Sequence, residues 1–227
     1  MLSALSWCLR GCALVAATAL LAACSRVVAG VPQPLREAAG KGPPVPVADL
    51  LIDPSRFPAQ YQAAVVDDTE VYRALQDIDG VVAGSVVTPR DCAPPEPGLA
   101  DSAAVEGIDS ATAGRLIVVV SRPAPMLSSR VDELRSCPSF TARRGEDTST
   151  VTATLMPAPP VDADDTYAVD QTVTTPGSER RMLTLAAQIG DTRISATWLQ
   201  EPAVDDPDTA SLDTLFSDAV VNVRRGA

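Results

Sequence analysis

The clearest period in the chain lies near its C-terminal end. Leu212, Leu215, Phe216, Ala219, Val220 and Val223 recur at the three- and four-residue spacing of a helix with one buried stripe. Asp206 and Pro207 suit its start, and Arg224 and Arg225 suit the negative end of its dipole. Two further helices are predicted. One covers Asp68 to Asp79, with Val71, Leu75 and Ile78 on one side. Asp67 and Glu70 are spaced as a capping pair before it, and Gly80 ends it. The other covers Met126 to Cys137, with Leu127, Val131 and Leu134 on one side and Pro138 as its stop.

The remaining patterns are those of strands. Leu116 to Val120 is an unbroken apolar run inside Arg115–Ser121, as expected of a central strand buried on both faces. Thr148 to Met156 alternates, with Val151, Ala153 and Leu155 opposed to Thr150, Thr152 and Thr154. Tyr167 to Thr175 is a further strand, and Val81 to Val87 is a short one. Arg181–Ile189 and Thr192–Leu199 flank Gly190-Asp191, the two-residue signature of a hairpin turn. These strands follow one another without crossover helices. The expected fold is therefore α+β: one domain, a twisted antiparallel sheet with helices packed mainly on one face. The second face is then free to act as a binding surface.

The N-terminal region breaks this pattern. Arg10 is the one charge in Met1 to Ala23, and Gly11 to Ala23 is an uncharged apolar run too short to span a bilayer comfortably. It ends in Leu21-Ala22-Ala23-Cys24, which resembles the lipobox of bacterial lipoproteins. In such proteins the cysteine thiol receives a diacylglycerol and becomes the new N-terminus after cleavage. Three parts are expected: a signal peptide at 1–23, a Pro-rich flexible tether at 24–47, and an extracytoplasmic domain at 48–227. The expected location is the outer side of the cell membrane, with Cys24 as the lipidated residue. Each buried CH₂ adds about 0.8 kcal/mol, so two or three acyl chains anchor firmly.

Cysteine content then changes the picture of the domain. Cys8 and Cys12 leave with the signal peptide, and Cys92 and Cys137 remain. Two thiols in an oxidising compartment suggest one disulfide; their wide spacing is unlike that of a C-x-x-C redox pair.

Charge and composition narrow the chemistry. The net charge of −11 argues against nucleic acid, which requires a basic face. The chain is 46% apolar, enough for a real core. Its bias toward Ala, Val, Asp and Pro, with Lys41 as the only lysine, suggests a GC-rich genome. Histidine is absent, which removes the commonest general base, the Ser-His-Asp and Cys-His systems, and most zinc sites. Glycine-rich phosphate loops are also missing, and Ser-x-x-Lys is impossible because Ala38 stands three residues before Lys41.

A family resemblance rests on several segments. They are the lipobox, Leu51-Ile52-Asp53-Pro54 with Phe57-Pro58, Asp79-Gly80-Val81, the Cys92 and Cys137 pair, Thr148 to Val151, and Leu185 to Asp191. Together they resemble an uncharacterised lipoprotein domain of mycobacteria, nocardias and other actinobacteria. That domain is in turn similar to the extracellular sensor domain of PknH-type Ser/Thr kinases. The resemblance covers roughly Ala48 to Arg225 and implies a mixed α/β fold with a large cleft. This chain departs from the kinases in carrying no kinase domain and only one pair of body cysteines.

Candidate site residues are few. Asp162, Asp164 and Asp165 form an acidic turn without the glycine and downstream glutamate of an EF-hand, and no metal is expected there. Asp205, Asp206 and Asp208 read as charges at a helix start. Glu106 and Asp109 are one of many carboxylate pairs that 29 acids produce by chance. Tyr167 and Trp198 fall on strands, where an aromatic can stack a sugar or cover a lipid. Trp198 shares parity with Ile194 and Ala196, which suits a core position. Arg193 and Thr197 point the other way and could line a polar cleft or be ordinary surface. The possible cleft-lining set is Arg193, Thr197 and Trp198.

The expected function is a non-enzymatic envelope lipoprotein with no catalytic residue and no cofactor. It would bind the membrane through its anchor and would capture an unknown small molecule, lipid or envelope protein in a sensor-like module. The alternatives are a lipid carrier, which needs an enclosed apolar cavity, and a carboxylate-dependent hydrolase.

Overall fold

The computed structural model describes residues 44–95, 101–122, 124–204 and 206–226. The expected signal peptide, Cys24, most of the expected tether and Asp205 lie outside the described residues. Nine strands form one antiparallel sheet. They are β1 (Tyr61–Val65), β2 (Val86–Thr88), β3 (Ser102–Asp109), β4 (Arg115–Ser121), β5 (Ser139–Arg144), β6 (Asp147–Met156), β7 (Asp165–Thr175), β8 (Ser178–Ile189) and β9 (Thr192–Gln200). Their spatial order is β1-β3-β4-β9-β8-β7-β6-β5-β2. Three α-helices pack against the sheet: α1 (Asp68–Asp79), α2 (Leu127–Ser136) and α3 (Thr209–Gly226). The α+β architecture read from the hydrophobic pattern is found, with the disulfide expected from the two body cysteines.

Strand parity assigns the helices to faces, because successive side chains point to opposite sides of a sheet. On β4, Leu116, Val118 and Val120 cluster with the apolar stripe of α3, including Leu215, Phe216 and Val223. Their neighbours Ile117 and Val119 cluster with Val71, Ala74 and Ile78 of α1 on the opposite face. β4 is thus buried on both sides, as its unbroken apolar run requires. α2 joins α1 on that second face through Leu134, which meets Ala153 and Val169. Two of the three α-helices therefore share a face, and α3 covers part of the other. The exposed remainder of the α3 face carries rows of threonines: Thr141 is paired with Thr150 and Thr150 with Thr174, while Thr152 is paired with Thr172.

Local chemistry fixes the ends of α1. The Asp67 carboxylate accepts from the backbone N–H groups of Thr69 and Glu70 at 2.9 and 3.0 Å, satisfying two donors of the first turn. Gly80 ends the helix at φ +72°. Here glycine is required twice over. The left-handed backbone disfavours other residues, and a Cβ would sit 3.0 Å from Val173 Cγ2 and 3.2 Å from Met182 Cε. The chain turns directly on the sheet at this point.

The strand expected over Val81–Val87 is corrected to a loop followed by β2 at Val86–Thr88. The loop is held from behind: Ala83 N–H donates to Gln76 Oε1 of α1, and Ser85 N–H donates to Val82 O. These bonds satisfy backbone donors that a strand would have paired across a ladder. Cys92 and Cys137 form a disulfide with their Cα atoms 5.5 Å apart. It joins the segment after β2 to the end of α2 and lies in a cluster with Val87, Phe140, Val151 and Met182. Among the described residues no helix is long and apolar enough to cross a membrane.

Candidate binding pocket

The loop after α1 stands over an end of the sheet that α1 and α2 leave uncovered. Between them lies an open pocket of about 410 Å³. Its floor is made by Ala142 and Val173, which belong to the same apolar cluster as the disulfide. Gly80, Val82 and Ser85 form the overhanging side, and Val82 is an exposed apolar residue at 48%. Thr148, Ser149 and Thr175 add hydroxyl-bearing positions. Arg144, Asp147 and Arg180 complete the rim. The volume falls within the roughly 300–1,000 Å³ typical of small-molecule sites.

Arg180 is positioned from the side away from the pocket. Its Nη1 donates to Asp77 Oδ1 at 3.2 Å, and Arg115 Nη1 takes Asp77 Oδ2 at 2.7 Å. Arg115 in turn donates through Nε to Glu106, whose second oxygen lies 3.6 Å from Arg73. This chain of alternating charges pins β3, β4 and β8 to α1. It leaves Arg180 Nε buried with no hydrogen-bond partner. A buried unpaired donor is costly. Arg144 is exposed and has no ion pair among the described residues.

The sequence-derived candidates lie elsewhere. Trp198 is 1% exposed and packs in the core beneath α3. Thr197 is fully buried on the opposite face and shares a 2.9 Å hydrogen bond with Thr184. Neither lines an open cleft, because β9 is central and covered on both sides. Arg193 is partly buried and donates to Pro125 O, and desolvation lowers the pKa of its guanidinium. It belongs instead to a recessed charge cluster between the sheet, α1 and α2. There Arg130 pairs with Asp79 at 2.9 Å and with Glu133 at 2.8 Å, beside the ring of Tyr167. Desolvation and the nearby Glu133 hold the Asp79 carboxyl above the usual carboxylate range despite Arg130. Desolvation likewise raises Tyr167. The groove that reaches Tyr167 along α2 is lined by neither Asp79 nor Glu133.

Of the remaining candidate acids, Glu106 lies on β3 in the ion-pair chain, and Asp109, Asp164 and Asp208 are held at turns or at a helix start. Glu106 and Asp109 have opposite parity on β3 and so project from opposite faces. Asp109 accepts from Ala111 N–H and from Thr112 Oγ1, which lowers its pKa. Asp164 accepts from Gly190 N–H, and Arg224 bridges to Asp162 and Asp164. Asp208 accepts from Ser211 N–H at the start of α3. No group of three or more metal-ligating side chains is found among the described residues.

A second depression, of about 340 Å³, lies on the threonine face between Thr152, Thr172 and the segment at Ala203–Val204. Its one guanidinium, Arg181, is engaged by Asp170 at 2.7 and 3.1 Å and by Val204 O. The pocket beside Gly80 is thus the better-formed site. Sequence reasoning missed it because its parts come from three separated stretches, 80–85, 142–149 and 173–180. The one local signal was Asp79-Gly80-Val81, a glycine forced between a helix and an apolar floor.

No family model and no curated protein matches the chain. Among solved structures, it is similar to an uncharacterised protein of Mycobacterium smegmatis described as an Rv0999 ortholog. The identity is 18% and the TM-score 0.48, over 75% of this chain and 92% of that one.

Proposed function

We propose that this protein is a non-enzymatic lipoprotein of the cell envelope that captures a ligand in the pocket beside Gly80. The observation that carries the reading is the pocket's composition: an apolar floor, an overhanging loop and a polar rim with two arginines, Arg144 and Arg180. The lipobox at Cys24 supports the anchor, and the resemblance to kinase sensor domains supports a sensor-like role. Two features speak for binding rather than turnover. The chain has no histidine, and the pocket has a single rim carboxylate, Asp147, with no second one facing it. General acid–base chemistry on a glycan would need two carboxyl groups facing each other across the bond. The depressions described above are open rather than enclosed, which does not favour a lipid carrier.

The test is equilibrium dialysis of the purified protein against fractionated envelope extract, with the retained compounds identified by mass. Saturable depletion of a compound that is recovered unchanged supports the proposal. Conversion of a glycan or ester into products, abolished by replacing a single Asp or Glu, overturns it.

A further inference from the structure

We infer that the pocket takes an anionic amphiphile: an oxyacid head group, phosphate or carboxylate, joined to a short apolar body. This rests on the reading of the pocket as a ligand site and adds the ligand's chemical class. The two halves of the ligand follow from the two halves of the pocket. Ala142 and Val173 continue into the apolar cluster below, and Val82 exposes an apolar side chain on the overhanging loop. The floor residues are only 3% and 5% exposed, so an apolar body laid over them would remove chiefly the Val82 surface from water. At the rim, Arg180 lines the pocket with its side chain 19% exposed, and Arg144 is an exposed cation without a partner among the described residues. Both are cationic, and guanidinium groups hold oxyanions through charge-assisted hydrogen bonds. Hydroxyl side chains at Ser85 and Thr175 can solvate the remaining oxygens.

Asp147 limits the charge. It is one residue before Thr148 in β6 and pairs in register with Arg144 at the end of the β5–β6 hairpin. A single negative charge on the ligand is therefore favoured over two. Asp77 already holds the Nη1 of Arg180, so the geometry of that guanidinium is fixed before the ligand arrives. Such preorganisation lowers the cost of binding.

The experiment is hydrogen–deuterium exchange on the full chain, read by mass spectrometry, with four probes below their micelle concentrations. They are octyl phosphate, octanoate, octyl glucoside and inorganic phosphate. Octyl phosphate or octanoate should slow exchange in 80–85, 142–149 and 173–180, with octyl glucoside at least about tenfold weaker. The better of the two anions identifies the head group. Arg144→Gln, an exposed substitution, should weaken that anion about tenfold and leave octyl glucoside unchanged. About tenfold weakening at high salt should accompany anion binding, since Arg144 is open to screening. Equal protection by octyl glucoside and the anions would overturn the head-group inference while leaving the pocket as a ligand site. Protection by inorganic phosphate equal to that by octyl phosphate would overturn the apolar body. Absence of protection by all four probes would overturn the inference. The dialysis experiment decides the pocket reading separately.

Discussion

Removing the disulfide tests how much its link between the segment after β2 and the end of α2 contributes to stability. Cys92 and Cys137 are 45 residues apart in the chain, so their bond closes a loop of that size in the unfolded state. The chain-entropy model converts such a loop into about 4 kcal/mol of stabilisation. That is a large share of the roughly 5–15 kcal/mol that a domain of this kind holds in total. Both sulfurs are also packed, at 5% and 7% exposure, against Val87, Phe140 and Val151. Alanine at both positions loses the constraint and some packing; reduction of the wild-type bond loses the constraint alone. Equilibrium unfolding in urea should therefore show a drop of about 4 kcal/mol on reduction, and a somewhat larger one for Cys92→Ala/Cys137→Ala. The m-value should rise in both cases, because the unfolded chain expands when the loop opens. A loss below about 1 kcal/mol on reduction, with an unchanged m-value, would refute the reasoning, as the closed loop would then hardly constrain the unfolded chain.

Other expectations are as direct. Gly80→Ala should destabilise by more than the about 1–2 kcal/mol of a left-handed backbone alone, because its Cβ meets Val173 and Met182. Gly84→Ala, at φ +78° in open space, should show only the backbone part, and equal losses at the two sites would contradict the packing argument. Phe216→Ala should cost about 3–5 kcal/mol in urea unfolding, since that ring is 1% exposed under the α3 stripe. The raised Asp79 carboxyl binds its proton more tightly folded than unfolded, so its contribution to stability declines as pH rises from about 4 through the folded value. The stability of Asp79→Asn relative to wild type should then improve over that interval, and a relative decline would overturn the stated cause. Mass spectrometry of the membrane fraction should show an N-terminal peptide that begins at Cys24 and carries the lipid; a Cys24→Ala protein that is still processed and stays membrane-bound would remove the lipobox reading.

What the sequence disclosed depended on how strongly one face was buried. β4 and α3 were legible because each buries a dense, periodic set of apolar residues. The hairpin of β8 and β9 was legible from Gly190-Asp191, and the disulfide from the cysteine count. The strands β1, β3 and β5 carried no such signal. Ser102–Asp109 is rich in small residues, and its internal Glu106 is buried only because Arg115 and Arg73 neutralise it. Ser139–Arg144 alternates Phe140 and Ala142 with exposed polar residues over too short a length. The site was less legible still. Thr197 and Trp198 were judged by parity alone, and parity says which face a side chain takes, not what lies over that face. Arg180 and Arg144 became informative only when β5, β7 and β8 were brought together beside Gly80.

The central claim is ligand capture without turnover, and native mass spectrometry of the protein purified from its own envelope tests it most directly. The account predicts a stoichiometric adduct that leaves intact on activation and is depleted in Arg144→Gln. A bare protein mass from both wild type and variant, or only cleaved fragments of an envelope compound, would contradict it.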